Sequence, residues 1–134
     1  MTPDRRATIG RAGESAVRQD VERRGWTVLA YNVRWRDGEL DLVALDGRTL
    51  VFAEVKTLIA RGAGCKPPFS PFESITRKKQ LRIRALAKRW IIDELQRQRR
   101  ERQLSITSIR FDAFAVIAER DQTIRSIEHL EDAF

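Results

Sequence analysis

The sequence predicts an α/β fold, a mixed central sheet with flanking helices in the order αβββαββ. Three observations carry that expectation. Three runs of strand-forming residues between Trp26 and Lys56 are punctuated by Asp37-Gly38 and Asp46-Gly47, dipeptides that favour tight turns. Two longer stretches, residues 8–24 and 75–99, space their apolar residues for helices. Two further strand-like runs, about 110–117 and 123–130, follow the second of them.

In the first helix Ala12, Ala16, Val17 and Val21 form an imperfect apolar stripe, and Gly25 suits a left-handed residue after the last turn. Residues 26–34, Glu39 to Leu45 and Leu50 to Lys56 then predict an antiparallel meander of three strands. Residues 57–73 hold Gly62, Gly64, Pro67, Pro68 and Pro71 and predict a long loop. In the second helix Ile83, Leu86, Ala87, Trp90 and Ile91 share one face. Leu81, Ile92 and Leu95 fall elsewhere, so cover is expected on more than one flank, and Arg97 to Arg102 is expected to fray into a loop.

A chain of 134 residues is one domain's worth, and a single domain over 1–134 is expected. Hydrophobic residues make up 42% and charged residues 34%, a balance that supports a folded core rather than disorder. Cys65 and His129 are the only cysteine and histidine. That excludes a disulfide framework and argues against Cys/His zinc sites and histidine-based nucleophilic catalysis. The longest apolar run is Ala113 to Ala118, whereas a membrane helix needs about 20 residues. Met1 to Arg6 leads into no secretion segment. The expectation is a soluble cytoplasmic protein with no membrane partner.

The net charge is +7, and it is concentrated. Residues 77–102 carry 11 basic and 3 acidic side chains. Such a segment favours a polyanion, because neutralising phosphates releases condensed counterions. The plain alternative is a solvated helix face that binds nothing.

Chemistry concentrates in Gly38-Glu39-Leu40-Asp41-Leu42-Val43 and Phe52-Ala53-Glu54-Val55-Lys56. Strand side chains alternate between faces, so hairpin register decides which acids meet. A two-residue turn at Asp46-Gly47 pairs Leu45 with Arg48 and sets Glu39 opposite Glu54, with Asp41 diagonal. A longer loop through Thr49 sets Asp41 directly opposite Glu54. Either register puts Asp41, Glu54 and Lys56 on one face, and a three-residue loop would separate them. Carboxylates gathered on an apolar face repel and resist burial, a conflict that a divalent cation relieves. Oxygen donors suit Mg²⁺. A metal at Asp41 and Glu54, with the Val55 carbonyl as a further ligand, would activate water against a phosphodiester. Lys56 would stand beside that water, and Glu14, projecting from the first helix, is a further ligand or water-holder. The plain readings are a wet hairpin face and a Glu14–Arg18 ion pair.

These residues also carry a resemblance. Gly13-Glu14-Ser15-Ala16, Asn32-Val33-Arg34, Gly38-Glu39-Leu40-Asp41-Leu42-Val43, Val51-Phe52-Ala53-Glu54-Val55-Lys56-Thr57 and the ending Ile127 to Phe134 resemble the YraN family of bacterial predicted nucleases. That family is similar in fold to archaeal Holliday-junction resolvases and sits in the restriction-endonuclease-like PD-(D/E)XK superfamily. The resemblance implies a restriction-endonuclease-like core needing Mg²⁺ or Mn²⁺. Asp41, Glu54 and Lys56 match the superfamily motif, and Glu14 its helical acidic position. It further implies a nucleic-acid partner, DNA including branched DNA, and a homodimer, since symmetric cutting of two strands needs two sites. A catalytically silent nucleic-acid-binding module on the same scaffold is the alternative. Leu58 stands where the family has Arg, leaving Arg61 as the nearest substitute, and Phe69-Ser70-Pro71 replaces a Phe-Gly pair in a lengthened loop. Lys78, Lys79 and Arg82 at the second helix start, and Arg34 and Arg36 at the first hairpin turn, are the candidate phosphate contacts. Trp35, between those two arginines, is the stacking candidate, Gln80 a polar neighbour of the metal, and His129 a structural residue.

Overall fold

A computed structural model describes residues 4–60 and 71–134. The elements are α1 (Arg5–Arg23), β1 (Thr27–Trp35), β2 (Gly38–Asp46), β3 (Thr49–Ile59), a 3-10 turn (Pro71–Ser74), α2 (Arg77–Trp90), a π turn (Ile91–Leu95), α3 (Gln96–Arg102), β4 (Ser108–Ala118) and β5 (Ile124–Leu130). The strands form one five-stranded sheet in sequence order. Its β1–β2, β2–β3 and β4–β5 pairs are antiparallel, and β3–β4 is parallel. The parallel pair needs a crossover, and the segment holding α2 and α3 supplies it. The mixed α/β architecture and element order therefore match the sequence expectation. No helix among the described residues is long and apolar enough to cross a membrane.

Strand alternation divides the core into two layers. Val17 and Val21 of α1 bury Leu42, Ala44, Val51, Ala53, Val55, Phe114 and Val116 on one face. Ile83, Leu86, Ala87 and Trp90 of α2 bury Val43, Leu45, Leu50 and Phe52 on the other. Phe52 meets the Trp90 ring edge-on, with centroids 5.9 Å apart. Both helices start on side-chain caps: Asp4 accepts from the Arg6 N–H, and Thr76 from the Lys79 N–H. After α1, Gly25 takes φ +92° and the Trp26 N–H returns to the Val21 carbonyl. This is the left-handed stop that Gly25 implied.

Several boundaries differ from expectation, each for a physical reason. The β2–β3 turn is Gly47-Arg48, because Asp46 pairs with Thr49 and Leu45 with Leu50. Asp46 stays in the strand, where its carboxylate meets Arg110 at 3.1 Å, and Gly47 alone takes the positive φ, +61°. This is the register of the longer-loop alternative, not the Asp46-Gly47 one. β3 runs on to Ile59, paired with β4 as far as Ala118, so the expected loop is shortened at its start, and a 3-10 turn occupies Pro71–Ser74. The part of the loop holding Arg61 and Cys65 lies outside the described residues.

Arg97 to Arg102 does not fray: α3 is helical to Arg102, with Arg97 bonded to Glu94 and Glu101. Nor is the helix covered on two flanks, since Leu81 and Ile92 are exposed. Leu95 is buried because the π turn inserts one residue. The buried stripe steps from Trp90 to Leu95 and then to Gln98, a five-residue step that no regular α-helix gives.

Gly13 fixes how close α1 comes to β3. A Cβ built there would lie inside the Thr57 hydroxyl. Gly13→Ala should therefore lower stability by about 1–3 kcal/mol through overpacking, although alanine is the better helix former by about 1 kcal/mol. A urea-unfolding midpoint that rises in this variant would show the close approach to be dispensable.

Candidate functional site

Asp41 and Glu54 occupy the place where the β2–β3 ladder stops. The last paired residues are Leu42 and Ala53, although both strands continue. One step further stand Asp41 and Glu54, both buried, at 5% and 7% exposure. Beyond the ladder, the Val55 N–H donates to Asp41 Oδ2 at 2.9 Å. The carboxylate thus replaces a backbone carbonyl, which holds it at the sheet and satisfies a donor that would otherwise be buried unmet.

Burial, and then the charge of Glu54, push the Asp41 carboxyl up to about 8, against the lowering effect of the Val55 N–H. Glu14 reaches the same neighbourhood from α1. Its carboxyl is also raised, first by burial and then by Glu39, with Arg18 opposing and Glu54 adding to the rise. The Arg18 charge acts on Glu14 while its guanidinium stacks over the Tyr31 ring at 3.9 Å.

The cations are arranged less evenly than the sequence implied. Lys79 turns inward, and its Nζ lies 2.6 Å from Glu54 Oε1. Lys56 is half-buried two residues beyond Glu54, whereas Lys78, Arg82 and Arg36 are exposed. Arg34 pairs across the β1–β2 hairpin with Glu39 at 3.3 Å. Gln80 donates to the Ile75 carbonyl. Trp35 is half-buried against the α2-side core with Arg89 over its ring at 5.7 Å, so it packs more than it presents a free platform.

The donor set fits a hard divalent cation. Two buried carboxylates lie together with one ammonium on Glu54, and oxygen donors are what Mg²⁺ and Mn²⁺ take. Asp41 and Glu54 would hold the ion, with the Val55 carbonyl a candidate beside them. Among the described residues no group of three or more His, Cys, Asp or Glu side chains is gathered into a metal cage. Such an economical site suits Mg²⁺, which binds through one or two carboxylates and keeps several waters.

Sequence reasoning missed three things here. The sequence groups Lys79 with Lys78 and Arg82 as phosphate contacts, and nothing in its spacing marks it as the partner of Glu54. The Thr57 hydroxyl, beside Gly13, is buried with no hydrogen-bond partner among the described residues. A second polar cluster, around Asp112, lies on the α1 face: Asp112 is fully buried and takes a two-pronged bond from Arg110 at 2.8 and 2.9 Å. It also accepts the Asp132 N–H and meets His129 Nε2 at 2.7 Å. His129 stacks on Phe114 with ring centroids 4.2 Å apart, in keeping with a structural residue.

A mixed five-stranded sheet between helices, with a buried carboxylate pair at the point where two of its strands cease to pair, is the class that fold and site define. A family model described as "Uncharacterised protein family UPF0102" matches residues 13–116. The UPF0102 protein of Acidothermus cellulolyticus is 38% identical over 135 residues, covering 99% of this chain and 98% of its own. That of Pelotomaculum thermopropionicum is 36% identical, covering 98% of each. That of Beutenbergia cavernae is 40% identical over 122 residues, covering 91% and 92%. The chain belongs to the UPF0102 family.

Proposed function

We propose that the chain is a restriction-endonuclease-like domain that hydrolyses phosphodiester bonds in DNA with Mg²⁺ or Mn²⁺, branched DNA included. The observation that carries this reading is the burial of Asp41 against Glu54, an arrangement that costs stability and that a cation would relieve. The bound ion would supply Lewis-acid polarisation of the phosphate and a more acidic water. The chain's own residues do the rest. Asp41 is fixed by the Val55 N–H, so its oxygens are oriented before any ligand arrives. Lys56, on the Glu54 face, is placed to orient the attacking water or steady charge on the phosphate. Lys78 and Arg82, exposed on the first turns of α2, hold neighbouring phosphates where the helix dipole is positive.

The test is cleavage of linear, flapped and four-way DNA in Mg²⁺ and in Mn²⁺. Asp41→Asn, Glu54→Gln and Lys56→Ala should each lose at least about 100-fold in rate while keeping native circular dichroism. Undiminished activity in cleanly prepared variants would refute the assignment. A catalytically silent binding module is the second reading, and the Lys79–Glu54 contact favours it, because an ammonium already satisfies one carboxylate. That reading predicts salt-sensitive DNA binding without turnover, lost when Lys78, Lys79 and Arg82 are neutralised together. Each phosphate contact removed should flatten the salt dependence by about one unit of log–log slope. A homodimer would supply two such sites for paired strand cuts.

A further inference from the structure

We propose that Lys79 is an exchangeable counter-ion of the carboxylate pair: its ammonium holds Glu54 when no divalent cation is present, yields Glu54 to the cation, and then takes a non-bridging oxygen of the DNA phosphate. This rests on the cation-site reading above and adds to it a positioning residue that couples cation binding to phosphate binding.

Three observations carry it. The Lys79–Glu54 contact is short, 2.6 Å, and joins a side chain 38% exposed to one 9% exposed. The lysine thus reaches from the solvent edge of α2 onto a buried acid. A lysine side chain has four rotatable carbons and a compact charge, so it swings without moving the helix that carries it. The backbone under it is fixed, since the Lys79 N–H is capped by Thr76 Oγ1 at 3.2 Å. Finally, Lys79 lies near the start of the most basic segment of the chain, flanked by exposed Arg77, Lys78 and Arg82. An ammonium released from Glu54 there joins the cationic edge that a phosphate backbone would meet. An ammonium 2.6 Å from Oε1 and a divalent ion on the same carboxylate are like charges a few ångströms apart, and their repulsion makes the two compete for Glu54.

The experiment has three arms, none of which reads catalysis. In chelator, thermal unfolding of Lys79→Gln, Glu54→Gln and the double variant should be strongly non-additive, the double variant being no less stable than Lys79→Gln alone. Additive shifts would overturn the counter-ion role. In calorimetric titration of the DNA-free protein, Lys79→Gln should bind Mn²⁺ several-fold more tightly than wild type. A non-cleavable phosphorothioate duplex in Ca²⁺ should bind Lys79→Gln several-fold more weakly than Lys78→Gln. Mn²⁺ affinity that is unchanged or lower in Lys79→Gln would overturn the exchange, as would duplex affinity equal to that of Lys78→Gln. Wild-type protein that takes up no Mn²⁺ at all would refute the underlying cation site, a result recognisable because it does not depend on residue 79.

Discussion

In chelator, Asp41→Asn should melt higher than wild type, by about 5 °C, or on the order of 2 kcal/mol. The side chain keeps its shape and its acceptor for the Val55 N–H, and it loses the charge that burial and Glu54 oppose. The sign follows from linkage. A carboxyl whose folded pKa is raised gives its full stabilising contribution below its unfolded value near 4. It loses that contribution as pH rises toward the folded value of about 8. The gain from Asp41→Asn should therefore be small near pH 4 and largest near pH 8. Asp41→Ala separates the two effects, because it removes the charge and also leaves the Val55 N–H without its acceptor, at about 1–3 kcal/mol. Differential scanning calorimetry of both variants across this pH window is the check. A wild-type protein more stable than Asp41→Asn at pH 8 would mean that the carboxylate pair carries no strain.

The second large effect lies away from the site. Arg110→Met should destabilise the fold by about 3 kcal/mol or more. Arg110 is the two-pronged partner of the fully buried Asp112, and it also joins Asp46 and Glu131. Methionine fills part of the space and leaves Asp112 with only the Asp132 N–H and His129. Burial alone would raise the Asp112 carboxyl. The bonds from Arg110, the Asp132 N–H and His129 outweigh it and hold the carboxyl below its ordinary value. A depressed carboxyl contributes stability above its unfolded pKa and loses it as pH falls through the folded one. Wild-type stability should thus fall on the acid side below about pH 4, and Arg110→Met should show a shallower acid limb. Chemical unfolding at pH 7 and pH 3 measures both. An Arg110→Met midpoint equal to wild type would show that the remaining bonds suffice for Asp112.

The fold was legible wherever one physical signal dominated. The meander followed from alternation and turn dipeptides, and Gly25 marked the end of α1 because only a left-handed residue suits that stop. The shared face of Asp41, Glu54 and Lys56 was legible because both even-length turns give the same parity, so a misplaced turn cost nothing. The turn itself falls one residue later than the Asp46-Gly47 dipeptide indicates. Asp46 serves Arg110, a partner 64 residues away that no local pattern reveals. The π turn was equally hidden, since Leu95 and Gln98 look misplaced until one residue is inserted after Trp90. At the site, the acids could be read from β2 and β3 alone. The inward turn of Lys79 depends on how the first turn of α2 sits over the sheet, and that is set by packing of Ile83 and Leu86 in the core on that face.

The most direct test of the central claim is a Mn²⁺ titration followed by electron paramagnetic resonance, which counts free ion, on wild type, Asp41→Asn and Glu54→Gln. The account predicts saturable uptake by wild type and loss of that uptake in both variants, with folded circular dichroism throughout. Uptake that survives both substitutions, or wild type that leaves all Mn²⁺ free, would contradict it.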